Sequence, residues 1–338
     1  MITMLLSRLS TLEIVFPENH SVRFDNSICP CTFGGNLLRG NDLFRRCGVG
    51  RDGFSLRHFV EHLVVVMCVC LQHYMLDSTI NEQLVSVANV KDGDLVLEIG
   101  PGTGSLTNVL INAGATVLAI EKDPHMVGLV KERFAATDRL KVLEEDFTKC
   151  HMRSHMLSLL KSQNLAGADT RRAKVVANIP FNISKDVVKK LLPMGDIFSK
   201  VVLLLQDEAA MRLAEPSSKS SEYRPINVFV KFYSDPEYNF QVPRTNFFPQ
   251  PNVDAAVVTF KLKHPSEYPS VPSIKSFFSL VNSAFNGKRK MLRKTLQHIC
   301  TSSEIEAALA SAGLPGTSRP EELTLADFVK LHNLLVRL

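Results

Sequence analysis

Asn178-Ile-Pro-Phe181 is the stretch whose residue types point most narrowly to one chemistry. An amino group on an aromatic base is a poor nucleophile, because its lone pair is delocalised into the ring. An amide oxygen from Asn178 and a neighbouring backbone carbonyl can accept its two N–H bonds and draw the nitrogen toward tetrahedral geometry. The lone pair is then available, and the proton leaves after the new bond has begun to form, so no strong general base is needed. Phe181 can stack on a flipped-out base and hold it in line with the carbon under attack. Asn-x-Pro is also a turn signal, so its neighbours must decide. Ala173-Lys-Val-Val-Ala-Asn178 reads as the strand that delivers the stretch to a sheet edge.

Three more features fall at earlier strand ends. Leu95-Val-Leu-Glu-Ile-Gly-Pro-Gly-Thr-Gly104 runs from a buried strand into Gly100, Gly102 and Gly104, and then into Ser105-Leu-Thr-Asn-Val-Leu-Ile111 with helical spacing. Such a strand–turn–helix is a nucleotide-type pocket. A dinucleotide fingerprint spaces its glycines as G-x-G-x-x-G. Here the pattern is E-x-G-x-G-x-G with Glu98 on the strand, which is similar to the first motif of the class I S-adenosylmethionine (SAM) methyltransferases. Glu121 ends the second strand, 21 residues after Gly100, where a carboxylate can accept both hydroxyls of a ribose. Asp146 ends the third and is placed to accept from an adenine amino group.

These residues need a frame that brings strand ends together. Strands are predicted at Leu95–Ile99, Ala115–Glu121, Lys141–Asp146, Ala173–Asn178 and Lys200–Gln206, with helices between them such as His125–Ala135 and Ser184–Leu192. The alternation predicts a parallel, doubly wound α/β sheet. A helix capped by Asp77 or Ser78 precedes it. Ile226–Phe232 and Ala255–Leu262 read as late strands around a proline-rich segment, Val242–Val253. After a linker from His264 to Pro272 only helical periodicity remains, and four helices are predicted at Ile274–Phe285, Lys288–Cys300, Ser303–Ala312 and Thr324–Leu335. The organisation is thus a leader (1–71), an α/β domain (72–263) and a small all-helical domain (264–338).

Hydrophobic content of 45% and charge of 22% suit a globular chain with a sizeable core, and the net charge of +5 permits a nucleic-acid partner without demanding one. Residues 1–60 carry seven arginines and no lysine, a composition that suits an organellar transit peptide, against which stand five acidic residues. The apolar run His62–Leu71 is too short to cross a bilayer, which needs about 20 residues. Seven cysteines do not make a disulfide framework. Cys29-x-Cys31 and Cys68-x-Cys70 lack zinc-ligand spacing, so no metal is expected. No histidine stands in a recognisable nucleophilic-triad motif.

Glu98–Gly104, Glu121, Asp146 and Asn178–Phe181 together resemble the small-subunit ribosomal RNA adenine dimethyltransferases. The resemblance runs from Gln72 to the C-terminus and is closest to the plant plastid members. It includes Gln206-Asp-Glu-Ala-Ala210, Phe247-Phe-Pro-Gln-Pro-Asn-Val-Asp-Ala-Ala-Val257 and Ala284-Phe-Asn-Gly-Lys-Arg-Lys-Met-Leu-Arg293. It implies a Rossmann-like class I methyltransferase fold and transfer of two methyl groups from SAM to each of two adjacent adenosines near the 3′ end of small-subunit rRNA. It also implies a cofactor site of His73, Met75, Gly100, Gly102, Gly104, Glu121, Asp146 and Asn178. Asn178, Ile179, Pro180 and Phe181 would form the catalytic stretch, with Phe247 on the opposite face of the target base. A chloroplast enzyme is expected, with a mitochondrial one as the alternative. The partner is rRNA or an assembling small subunit, without a membrane, and the state is monomeric.

The chain departs from the family in two places. Ile179 and Phe181 replace the usual Leu and Tyr, which preserves the backbone carbonyl and the aromatic face. Cys68-Val-Cys-Leu71 replaces a Lys-Ser-Leu-Gly lead, so either the N-terminal lid is altered or the residues before Gln72 come from a misread gene model. Lys288, Arg289, Lys290, Arg293 and Lys294 form a basic cluster suited to phosphate contacts, and Lys185, Lys189 and Lys190 extend it. One rival is a catalytically weak ribosome-assembly or transcription factor on the same fold. The other is a dinucleotide-dependent reductase, which the glycine spacing opposes.

Overall fold

The structure is a computed structural model that describes residues 11–15, 21–25, 74–75, 77–162, 172–214, 222–287 and 290–336. By its contacts the chain divides into Met1–Val64 and Val65–Leu338. In the first unit, strands β1 (Thr11–Val15) and β2 (Ser21–Asp25) pair antiparallel, with Thr11 opposite Asp25. The leader was expected to be irregular. Its hairpin rests on an alternation of apolar and polar residues over only five positions per strand, too short a pattern to stand out in sequence. The Cys29–Cys31 and Cys68–Cys70 pairs, the His62–Leu71 run and the departure before Gln72 lie outside the described residues.

The second unit is built on seven strands in the order β6-β5-β4-β7-β8-β11-β9. They are β4 (Leu95–Ile99), β5 (Thr116–Glu121), β6 (Leu140–Glu144), β7 (Ala173–Asn178), β8 (Phe198–Gln206), β9 (Ser234–Val242) and β11 (Ala255–Leu262). The first five in sequence are parallel, and β11 runs antiparallel to both β8 and β9. Parallel neighbours need crossover helices, which bury both faces of a sheet and make its strands continuously apolar. All five residues of β4 are buried. Leu95, Leu97 and Ile99 point into one core layer and Val96 into the other. The crossovers are α2 (Ser105–Asn112), α3 (Pro124–Arg133), α4 (Met152–Ser162) and α5 (Ser184–Leu191). Strand order reverses between β4 and β7, and a crevice opens beyond the carboxyl ends of strands at such a switch point.

Local signals set the helix ends. Before the sheet, the two-residue strand β3 (Tyr74–Met75) leads to α1 (Ser78–Ala88). Asp77 caps α1 by accepting from the Thr79 amide at 2.9 Å, and Asn89 ends it in the left-handed conformation. Asp123 caps α3 in the same way, through His125, with Pro124 in its first turn.

The second half corrects three expectations. Ile226–Phe232 is not a strand but most of α7 (Pro225–Tyr233), which follows α6 (Asp207–Ala214). Pro225 opens the helix, and the buried Asn227 carboxamide accepts from the Arg224 amide at 2.8 Å and donates to the Arg212 carbonyl at 2.6 Å. Val228, Val230 and Phe232 are fully buried, so burial on several sides mimics a period of two. The strand is instead Ser234–Val242, which the sequence reading skipped because of Asp235, Pro236 and Asn239. It lies at the sheet edge, where a proline costs no ladder bond. Third, the Lys288–Cys300 segment holds only one helical turn, α9 (Leu292–Thr295). The Leu292 amide donates to Ser318 O at 2.9 Å, and Leu292 and Leu296 drop into the core.

The remaining helices, α8 (Ile274–Phe285), α10 (Ser302–Ala312) and α11 (Leu325–Leu335), follow β11. Phe277, Leu280, Ile305, Leu309, Phe328 and Leu331 join the core layer that also covers one face of the sheet. Phe232 lies 5.3 Å from Phe277 and 4.9 Å from Tyr233, ring centre to ring centre. Each buried phenyl stabilises by about 1.5–3 kcal/mol. Among the described residues no helix is long and apolar enough to cross a membrane.

Candidate active site

A cavity of about 780 Å³ opens at the switch point. Its wall includes Met75, Gly100, Gly102, Glu121, Asp146, Asn178, Ile179, Pro180, Phe181 and Phe247, so ten of the positions singled out in sequence meet around one space. Gly104 is not in the wall. It caps α2 at φ 82°, and a Cβ there would come within 2.7 Å of the Phe134 ring, so it shapes the loop from behind. His73, Lys288 and Arg289 lie outside the described residues.

The acids on the β4–β6 side are held by protein donors. Glu121 is 4% exposed. Its Oε1 accepts from the Lys122 and Asp123 amides at 2.8 and 3.0 Å, and its Oε2 from the Gly102 amide at 3.4 Å. Asp146 Oδ1 accepts from the Thr148 hydroxyl at 2.6 Å and the Thr148 amide at 2.9 Å, while Lys122 Nζ lies 3.1 Å from Oδ2. The Thr148 hydroxyl, then Lys122 and the Thr148 amide, hold the Asp146 carboxyl down at about 2. Glu98 differs. It is buried beneath the loop with Thr107 Oγ1 donating to its Oε2 at 2.6 Å. Burial pushes its carboxyl up to about 8; the Thr107 bond works against this and the nearby Glu121 charge adds to it. At neutral pH Glu98 is largely a neutral acid.

The base side is apolar and tightly turned. Asn178 ends β7, Ile179 is 2% exposed, and Phe181–Ile183 form a single 3₁₀ turn closed by Ser184 Oγ donating to Phe181 O at 2.8 Å. Among the described residues nothing hydrogen-bonds the Asn178 side chain. Phe247 comes from a distant segment, β10 (Phe247–Phe248), which pairs antiparallel with β3 and sets Phe247 opposite Met75. The Phe247 side chain is buried.

Sequence reasoning missed several residues of this site. Lys122 and Thr148 escaped it, although Asp-x-Thr is a recognisable side-chain turn. Phe147 also lines the cavity. Lys190 was read as part of an RNA-facing surface, but its Nζ donates to the carbonyls of Phe147, Thr148 and Cys150 at 2.7, 3.0 and 2.9 Å and lies 5.2 Å from the Phe147 ring centre. It ties the turn after Asp146 to the helix after Phe181. Lys185, Lys189, Lys290 and Lys294 are exposed, and Arg293 pairs with Glu306 at 2.8 Å. One histidine does meet a thiol and a carboxylate: His155 Nε2 lies 3.3 Å from Glu145 Oε1, beside Cys150. Burial and Glu145 push the Cys150 thiol up to about 12, so no nucleophilic thiolate is present there at neutral pH.

The parallel sheet reversing at this crevice, with the E-x-G-x-G-x-G loop and acids after β5 and β6, defines a Rossmann-like class I methyltransferase. The family model described as ribosomal RNA adenine dimethylase matches residues 70–336, and the chain belongs to that family. It is 75% identical over 266 residues to the chloroplastic ribosomal RNA small subunit methyltransferase of Arabidopsis thaliana, covering 79% of this chain and 78% of that one. It is 34% identical over 262 residues to ribosomal RNA small subunit methyltransferase A of Protochlamydia amoebophila, covering 78% and 88%. Among solved structures, a dimethyladenosine transferase from Plasmodium falciparum superposes with a TM-score of 0.63 at 25% identity, over 77% of this chain and 96% of that one.

Proposed function

We propose that this chain transfers methyl groups from SAM to the N6 amines of two adjacent adenosines near the 3′ end of small-subunit rRNA, in the chloroplast. The observation that carries the reading is that Asn178–Phe181 and the two acids open onto one cavity. The compartment rests on the Arabidopsis relative and on the Arg-rich, lysine-free leader.

The donor set suits SAM. Glu121 would accept the ribose hydroxyls, Asp146 the adenine amino group, and Ile99, Ile120 and Phe147 would wall the adenine ring. SAM supplies a methyl carbon made electrophilic by its sulfonium. The Asn178 amide oxygen and a backbone carbonyl of the 178–181 turn would then hold the two N–H bonds of the target amine. Phe181 and Phe247 would clamp the base between them. The amine proton passes to water after displacement, so neither a metal nor a covalent enzyme intermediate is needed. Lys290 and Lys294, with Lys288, Arg289 and Arg293, would contact rRNA phosphates from the 264–338 helical segment, with Lys185 and Lys189 beside the catalytic turn. The chain would act as a monomer.

The test is methyl transfer from labelled SAM to unmethylated small ribosomal subunits, with Asn178→Ala alongside. Dimethyladenosine formed by the wild type and abolished by Asn178→Ala is expected. Tight RNA binding without methyl incorporation would point instead to an assembly factor on the same fold.

A further inference from the structure

Glu145, Cys150 and His155 each come from a different piece of local structure: the residue after β6, the turn before α4, and α4 itself. One ligand atom from each, a carboxylate oxygen, the thiol sulfur and an imidazole nitrogen, lies within 4.8 Å of the other two. We propose that these three residues bind a thiophilic divalent cation of the zinc class, beside the methyl-transfer cavity, whose wall includes Glu145.

The chemistry of the donor set selects the ion. Calcium and magnesium take all-oxygen shells, whereas an S, N, O set suits zinc and its thiophilic relatives. Ligand atoms around one tetrahedral zinc stand roughly 3.3–3.6 Å apart, given bonds of about 2.0–2.3 Å. The 3.3 Å between His155 Nε2 and Glu145 Oε1 already matches this. Three protein ligands leave a fourth position for water, unlike the closed four-ligand shell of a structural site.

The frame is rigid and the entrance open. The Glu145 amide donates to Glu121 O at 2.9 Å, the Cys150 amide to Asp146 O at 2.9 Å, and the Cys150 carbonyl accepts from Lys190. Cys150 is 6% exposed and forms the floor, while the side chains of Glu145 and His155 are 38% and 31% exposed. An ion enters from that side. On binding, the Cys150 S–H bond breaks, its proton leaves to solvent, and the thiolate and carboxylate together balance the dication. The E-x4-C-x4-H spacing did not announce itself in sequence because no single helix or knuckle carries two of the ligands.

The test uses the full chain stripped with chelator. Crystals soaked in zinc should show an anomalous peak at the zinc edge bounded by the three side chains. Zinc titrated calorimetrically should bind with one equivalent more in the wild type than in either Cys150→Ser or His155→Gln. His155→Gln leaves the buried thiol in place, so it reads the site even where Cys150→Ser unsettles the fold. Zinc should also raise the melting temperature of the wild type more than that of His155→Gln. A peak confined to other cysteines, or equal stoichiometry in all three proteins, overturns the site. None of these measurements involves SAM or RNA, so failure here leaves the methyl-transfer reading untouched.

Discussion

On the β4–β6 side of the cavity the acids are already held: Glu121 by three backbone amides, Asp146 by Thr148 and Lys122, and Glu98 by Thr107. On the β7 side, Asn178 and the two phenyls have almost no polar scaffolding around the groups meant to meet the base. The first side is preorganised at a cost in electrostatics, since the carboxyl groups of Glu98 and Glu121 are buried close together and Glu98 is held protonated. The second relies on shape, a tight turn and a strand pair that brings Phe247 in from far along the chain. A cofactor bound in every turnover favours fixed acceptors, whereas a base that must flip in and leave favours apolar walls.

Breaking the held side should produce the largest change. Glu121→Gln, measured by calorimetry, should weaken SAM binding by about 10²–10³-fold, the loss of charge-assisted bonds to ribose hydroxyls, with RNA affinity unchanged. If RNA affinity fell equally, the two sides would be one unit rather than two. The strain within the held side is readable through pH. Glu98 has its folded value raised from 4.5 to about 8, so the native state binds the extra proton between those values. Its contribution is fully present below about pH 4.5 and is lost as pH rises through 8. Urea unfolding should show wild type losing on the order of 3 kcal/mol relative to Glu98→Gln between pH 5 and pH 8. A flat difference would mean that Glu98 is ionised throughout.

The shape-based side should respond differently. Phe181→Ala should slow single-turnover methyl transfer by about 10–100-fold, the worth of one base–aromatic stack, and leave SAM affinity unmoved. Phe181→Tyr, which keeps the face, should stay near wild type. Lys190 bridges the two sides through the Phe147–Cys150 carbonyls, so Lys190→Met sharpens the comparison most finely. It should raise KM for SAM by roughly 3–10-fold, the loss of hydrogen bonds to a charged donor offset by relaxation, with a smaller change in kcat. Equal effects on both would make Lys190 merely a fold-holding residue.

Much of the held side was legible in the chain. Glycines at alternate positions after an apolar strand, and acids at the next two strand ends, are local patterns whose meaning does not depend on distant contacts. The base side was half legible. Asn178–Phe181 stood out, but that Phe247 faces Met75 depends on a two-residue ladder between β3 and β10, which no periodicity can announce. Lys190 was misread because an exposed-looking lysine on an amphipathic helix gives no hint that three carbonyls lie within reach. Pro225–Tyr233 was misread for the opposite reason: a helix buried on several sides looks like a strand until its cap is seen. The edge strand Ser234–Val242 was hidden by residues that an edge tolerates and a central strand does not.

By itself the sequence determined the parallel strands, the loop that feeds α2, the chemical types at the strand ends and the family to which they belong, since each is written in contiguous residues. Only the tertiary structure decided that Glu98 is a neutral acid, that Lys122 and Thr148 hold Asp146, that Lys190 ties the turn after Asp146 to the helix after Phe181, and that Glu145, Cys150 and His155 converge. Those outcomes depend on burial and on distances of a few ångströms between segments far apart in the chain, and such distances follow from packing rather than from spacing along the sequence.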